Sequence, residues 1–127
     1  MGGRGTFAKG NNVPYVYKTV GEIEGVPVLE GIGGRHSLPE ESHSSEAYIK
    51  LKPSGIFHEM RIYDKEHYLV KEIAYHPEPK LTGGRRRNIL HIHEYDRSFK
   101  RSDARWLTQK ELNLFQKYFI GVNNDQR

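Results

Sequence analysis

Three turn signals divide the centre of the chain into four short segments, and this division constrains the fold more than any other feature of the sequence. The signals are the Pro53-Ser54-Gly55 triplet, residues 64–67, and the longer stretch 77–88, which centres on two glycines. Clusters of Gly, Pro and Asp favour turns. We therefore expect residues 47–96 to form four antiparallel strands joined by hairpins.

Pairing each hairpin about the centre of its turn also predicts which side chains share a face of the sheet, because side chains alternate along a strand. The predicted register pairs Lys50 with Glu59, Arg61 with Val70 and His76 with His91. The apolar face collects Ile49, Leu51, Met60, Ile62, Leu69, Ile73, Tyr75, Leu90 and Ile92, with His58 and Lys71 as exceptions. The polar face collects Tyr48, Lys50, Phe57, Glu59, Arg61, Tyr63, Tyr68, Glu72, His76, His91, His93 and Tyr95.

A helix follows the fourth strand. Thr108 is a good N-cap, and Glu111 three residues later completes a capping box. Leu112, Phe115 and Phe119 lie on one side of this helix and can cover the apolar face. The expected fold class is therefore α+β, a four-stranded antiparallel meander covered on one face by a C-terminal helix. The polar face is expected to stay open, because it holds too many ionisable groups for a second dry core.

The two ends of the chain have a different character from its centre. Residues 1–12 contain four glycines and are expected to form a mobile arm. Residues 13–29 carry β-branched residues and tyrosines around Glu24-Gly25, a pattern that predicts a hairpin. With 127 residues in all, we expect one domain over 13–120 and a polar tail over 121–127.

Composition excludes several classes of protein. The chain has no cysteine, so disulfides, thiolate catalysis and cysteine-based zinc fingers are excluded. It contains no apolar run near the ~18 residues of a membrane span. We therefore expect no membrane association and a cytoplasmic location. The net charge of +4 favours an acidic protein surface or a nucleic acid as partner.

The sharpest local motif is His91-Ile92-His93. Residues two apart on a strand point the same way and stand roughly 6.5–7 Å apart, so both imidazoles can reach one Zn²⁺ ion. The predicted register adds His76 beside them, and His36 in the glycine-rich loop is the candidate fourth ligand. His43 or a carboxylate is the competing choice for that position. The alternative is a set of surface histidines without metal.

The predicted polar face also carries an acid–base set, Glu59, Glu72, Arg61 and Lys50, beside the histidines. A carboxylate or His as base, a second His as acid, and a cation for the scissile phosphate would suffice for metal-independent RNA cleavage. Ordinary cross-strand ion pairs are the alternative explanation of the same residues.

A run of three arginines, Arg85, Arg86 and Arg87, lies in the long loop before the last strand. Such a run can bind phosphates or an acidic protein surface, and it can equally be a solvated loop. We take it as the candidate partner-binding segment.

Several short segments resemble small phage-encoded proteins. They are Met1-Gly2-Gly3-Arg4-Gly5, Gly34-Arg35-His36-Ser37-Leu38-Pro39, Arg61-Ile62-Tyr63-Asp64, His76 and His91-Ile92-His93. Over residues 33–96 the chain resembles a zinc-containing anti-CRISPR protein directed at a type II effector nuclease. The resemblance implies a binder that blocks target DNA loading in the host bacterial cell. It also implies a structural zinc that joins the loop bearing His36 to the strand of the H-x-H motif. In outline the expected fold is also similar to barnase- and RelE-like ribonucleases, which gives the alternative function.

Overall fold

A seven-stranded sheet with sequential strand order organises the protein, whose computed structural model describes residues 17–31, 38–39 and 46–122. The strands are β1 (Tyr17–Ile23), β2 (Val26–Gly31), β3 (Ala47–Leu51), β4 (Phe57–Tyr63), β5 (Leu69–Pro77), β6 (Asn88–Glu94) and β7 (Arg105–Trp106). The helices are α1 (Pro79–Thr82) and α2 (Gln109–Phe115), and a 3₁₀ turn, Gln116–Tyr118, follows α2. Neither helix in these ranges has the length and apolar character that a membrane crossing requires.

The four central strands β3 to β6 form the antiparallel meander expected from the turn signals. The sheet nevertheless has more strands than the four expected, because it continues at both edges. The β1–β2 hairpin joins β3 through a parallel pairing at Val28 and Ile49. At the other edge β7 pairs with β6. A two-residue strand is too short to show a period in the sequence, and the parallel pairing is non-local.

The turn of the β1–β2 hairpin lies where the sequence places it. Ile23 pairs with Val26, so Glu24 and Gly25 form a two-residue loop. Both loop residues have positive φ, 50° for Glu24 and 86° for Gly25. Positive φ at both positions is the type I′ geometry that matches the twist of paired strands, and glycine adopts it without steric cost. The hairpin prediction is confirmed over 17–31, and the first four residues of the predicted range 13–29 lie outside the described residues.

The register of the meander agrees with the prediction in one hairpin and differs by two residues in the other two. A difference of two residues keeps every side chain on its face, whereas a difference of one would reverse the faces. The polar face therefore retains most of its predicted members. The observed pairs are Lys50 with Glu59, Arg61 with Glu72, and Ala74 with His91.

Two β-bulges place three residues on the face of the sheet opposite to the one predicted for them. His58 is the extra residue between two β3–β4 pairs, which moves Phe57 into the core that α2 covers. Val70 is the extra residue between two β4–β5 pairs, which moves Leu69 to the opposite face. A bulge re-aims the side chains beside it, and His58 consequently lies beside His76 on the polar face.

Each face of the sheet carries a hydrophobic cluster. The larger cluster lies between the sheet and the α2 segment, and its buried members include Ile49, Met60, Ile73, Leu90, Ile92, Leu107 and Phe119. The smaller cluster lies on the predicted open face and consists of Tyr17, Leu29, Leu38, Tyr48, Tyr63 and Leu69. The expectation of an open polar face is therefore wrong over this part of the sheet. Leu38 comes from outside the meander, which strand parity cannot show.

The predicted capping box of α2 is confirmed. The Thr108 hydroxyl accepts from the Glu111 amide at 3.1 Å, and the Glu111 carboxylate accepts from the Thr108 amide at 2.8 Å. Both carboxylate oxygens of Glu111 also accept from the Arg105 guanidinium, at 2.9 and 3.0 Å. These hydrogen bonds from Arg105, together with those of the cap, lower the pKa of Glu111 to about 2.

Replacing Glu111 with Gln is expected to flatten the acid dependence of stability. Because the folded-state pKa of Glu111 is lowered from 4.5, its contribution is present above pH 4.5 and is lost as the pH falls towards 2. Urea unfolding at several pH values measures the slope. The exposed Glu22→Gln variant is the matched control and should keep the slope of the parent. Equal slopes in Glu111→Gln and the parent would contradict this assignment.

Candidate metal centre

Four histidine rings form a row across β4, β5 and β6 on the face opposite α2. The ring centroids of His58 and His76 are 6.0 Å apart, those of His76 and His91 are 4.6 Å apart, and those of His91 and His93 are 5.5 Å apart. The sequence predicts the last three as neighbours. It misses His58 because only the bulge in β4 brings that ring to this face.

Two histidines of this row, together with Glu78, form a group of side chains that can hold a metal ion. The ligand atoms of Glu78, His91 and His93 all lie within 4.8 Å of one another. β6 supplies both histidines from one face, and Glu78 follows the last residue of β5, at the N-cap of α1. The pairing of Pro77 with Asn88 holds this end of β5 against β6. This geometry gives the protein a potential metal-binding triad.

The two histidines of the triad are buried, and their ring orientations are fixed by backbone carbonyls. His91 is 0% exposed and His93 is 5% exposed. The Nδ1 of His91 donates to the carbonyl of Ile89 at 3.1 Å, and the Nδ1 of His93 donates to the carbonyl of Ser102 at 2.8 Å. Since a carbonyl can only accept, each Nδ1 carries the hydrogen, which leaves the lone pair of a neutral ring on Nε2. Metal-ligating histidines are commonly oriented in this way.

The Nε2 atom of His91 is buried and has no hydrogen-bond partner among the described residues. Buried polar atoms are nearly always paired, so an unpaired one calls for an explanation. Burial, reinforced by His76 and His93, lowers the pKa of His91 to about 4. The ring is therefore neutral at pH 7, which is the state that binds metal. The sequence predicts an exposed ring here, and the structure corrects that expectation.

The remaining predicted ligands do not join the triad. The ring of His76 packs against His91, but its nitrogens lie outside the group of mutually close ligand atoms. Its Nδ1 donates to the carbonyl of Pro77 at 3.0 Å. His36 and His43 lie outside the described residues. Glu78 thus occupies the place that the sequence assigned to His76.

Sequence reasoning missed Glu78 because it lies in an irregular connection, where neither strand parity nor helix period assigns a direction. One signal was available. Glu78 follows His76 by two residues, at the point where the chain leaves the sheet beside the H-x-H strand. A carboxylate was among the alternatives that the sequence left open.

The predicted acid–base set does come together, but its central pair is buried. The Arg61 Nε donates to the Glu72 carboxylate at 2.7 Å, with side-chain exposures of 11% and 7%. Arg61 Nη1 also donates to the carbonyl of Leu38 at 2.7 Å, so the guanidinium anchors that segment to the sheet. Burial, then the neighbouring Glu72 charge, raises the pKa of Glu59. These contacts leave little of Arg61 for a substrate phosphate.

The predicted partner-binding arginines, Arg85 to Arg87, are exposed and lie between α1 and β6. The Thr82 hydroxyl donates to the carbonyl of Arg85 at 2.6 Å and closes the start of this loop. Their side chains are therefore presented to solvent at the same end of β5 and β6 as His76.

Comparison with known proteins assigns no family to this chain. No protein-family model matches it, and no curated protein or solved structure matches it either. The chemistry of the site is therefore defined by its own residues.

Proposed function

We propose that this chain is a zinc-binding domain in which Glu78, His91 and His93 hold the ion. The observation that carries the proposal is the buried Nε2 of His91, because a metal would supply the partner that this atom lacks among the described residues. Two imidazoles and a carboxylate, without a thiolate, form one of the ligand sets that zinc takes in proteins. The fourth position would fall to water.

Zinc binding requires a small closure of the site. Zinc–ligand bonds of about 2.0–2.1 Å place tetrahedral ligand atoms about 3.4 Å apart. The ligand atoms of the triad lie within 4.8 Å of one another, so the side chains must approach by up to about 1.4 Å. Glu78 can make this movement, because its side chain caps nothing in α1 and is only partly buried.

The role we propose for the ion is structural. α1 has four residues, none of them buried, so the β5–β6 connection has little packing of its own. An ion held by Glu78 at the start of α1 and by two residues of β6 would fasten this connection to the sheet. Binding to the folded state alone adds directly to folding stability.

Zinc content is the first test of this proposal. Protein incubated with zinc and then desalted is expected to carry about one ion per chain, measured by elemental analysis. The Glu78→Gln and His91→Ala variants should lose most of it. The matched control is His67→Asn, which removes a histidine of the β4–β5 turn. Metal-free parent protein, or equal zinc in all four proteins, would overturn the assignment.

For the biological role, we carry forward inhibition of a guide-loaded type II nuclease, which rests on the resemblance given above. What supports a binding role over catalysis is the burial of the histidines and the engagement of Arg61 by Glu72 and Leu38. Comigration of the zinc-loaded protein with such a nuclease in size-exclusion chromatography is the expected result. RNA cleavage in EDTA, lost in Glu72→Gln, would instead favour the ribonuclease alternative.

A further inference from the structure

A wide groove of about 920 Å³ lies beside the metal centre, where β2, β3 and the ends of β5 and β6 meet. Its polar lining includes Lys50, Lys52, His58 and His76, which define what we call the basic groove. None of these four residues belongs to the triad of mutually close ligand atoms. The groove is thus a second feature of the molecule, in contact with the first through the packing of His76 on His91.

The charge at the basic groove is predominantly positive. Lys50 and Lys52 both line the groove, with the Lys52 ammonium 4.8 Å from the centroid of the Tyr75 ring. The carboxylate of Glu30 is already in an ion pair with Lys18 at 3.3 Å. Asn88 also lines the groove and directly follows the three exposed arginines, which places that loop at the rim. Clustered cations along an open groove are the electrostatic footprint of a phosphate backbone.

The lining is also suited to flat rings. The His58 and His76 rings lie 6.0 Å apart, and both residues line the groove together with apolar residues of β2 and β3. The apolar lining includes Val28, Leu29, Leu51, Pro53 and Pro77. Unstacked bases pack on histidine and other aromatic rings, while their phosphates pair with lysine and arginine. A free anion or an acidic peptide would leave the two imidazole rings unused.

We propose that the basic groove binds a single-stranded nucleic acid. Its phosphates contact Lys50, Lys52 and the arginine loop, and its bases pack against the rings of His58 and His76. The arginines that the sequence marks as a partner-binding segment thereby gain a specific role, as the rim of the groove. The proposal does not require zinc, because the groove and the triad use different residues.

Fluorescence anisotropy with labelled RNA and DNA strands of about 12 nucleotides tests this, with a duplex of the same length alongside. Both strands are expected to bind more tightly than the duplex. Three or four phosphate contacts predict a slope of about −2 to −3 for log K against log salt concentration. The Lys52→Glu/Arg86→Glu variant should lose at least tenfold in affinity and about 1.4 of that slope. Lys110→Glu, an exposed change on α2, is the matched control.

The outcomes separate this proposal from the zinc proposal. Strand binding that persists after EDTA treatment supports the groove even where zinc content fails its own test. No binding by either strand, or equal losses in the double variant and in Lys110→Glu, overturns it. Displacement of RNA by polyglutamate at equal charge concentration also overturns it, in favour of an acidic protein partner. A melting curve for each variant verifies that the fold is intact.

Discussion

Removing zinc from the loaded protein is expected to lower its melting temperature by about 10 °C. An ion present at 100 times its Kd adds about 2.7 kcal/mol to the free energy of unfolding. For a domain of this size, 1 kcal/mol corresponds to about 4 °C. The loss is expected to be this large because the metal would fasten a connection whose helix, α1, buries no residue of its own.

The Glu78→Gln variant separates the metal from the protein scaffold. It keeps the size of the side chain and removes the charge that would bind zinc, so its melting temperature should match that of the chelated parent. EDTA should then lower the melting temperature of the variant only slightly further. Thermal melts with and without EDTA, followed by circular dichroism, measure both effects. A Glu78→Gln protein that still loses as much as the parent on chelation would place the zinc elsewhere.

The Arg61→Ala substitution is expected to cost about 3–5 kcal/mol of folding stability, whatever the metal content. It leaves the Glu72 carboxylate buried without its partner, and it frees the carbonyl of Leu38 from its 2.7 Å hydrogen bond. Removing one member of a buried ion pair is far more costly than replacing both members. The Arg61→Met/Glu72→Leu variant should therefore recover much of the loss.

Urea unfolding of Arg61→Ala and of the double variant measures the loss and its recovery. Arg97→Ala is the matched control, because Arg97 is 57% exposed and also pairs with carboxylates, those of Asp64 and Glu66. Exposed ion pairs contribute little to folding stability, so Arg97→Ala should cost far less than Arg61→Ala. If Arg61→Ala lowers the free energy of unfolding by no more than Arg97→Ala does, then Arg61 does not anchor the Leu38 segment to the sheet.

Local signals in the sequence were sufficient for much of the fold. The turns that bound β3 to β6, the Glu24-Gly25 hairpin and the Thr108–Glu111 capping box depend on a few adjacent residues, and each lies where the sequence predicts it. Strand parity then brought His91 and His93 to one face with His76. The faces assigned from strand alternation remain correct despite the two-residue error in register, because such an error moves no side chain to the other face.

The features that the sequence did not predict depend on contacts between distant segments. The bulge at His58 adds one residue to β4, and no residue type marks it in advance. The orientation of the His93 ring depends on the carbonyl of Ser102, which lies beyond the end of β6 and accepts from Nδ1. Glu78 reaches the site from an irregular connection, where neither strand alternation nor helix periodicity predicts the direction of a side chain. The predicted open face is partly closed by the packing of Tyr17, Leu29 and Leu38 against Tyr48, Tyr63 and Leu69.

Long-range ¹H–¹⁵N NMR of the histidine rings, recorded before and after zinc addition, tests the zinc proposal most directly. We expect His91 and His93 to keep a protonated Nδ1 in both states, because each donates to a backbone carbonyl. Zinc should shift the Nε2 resonance of both rings at one equivalent and leave His67 unchanged. An Nε2 that carries the hydrogen, or Nε2 resonances that zinc does not move, would contradict the proposed site.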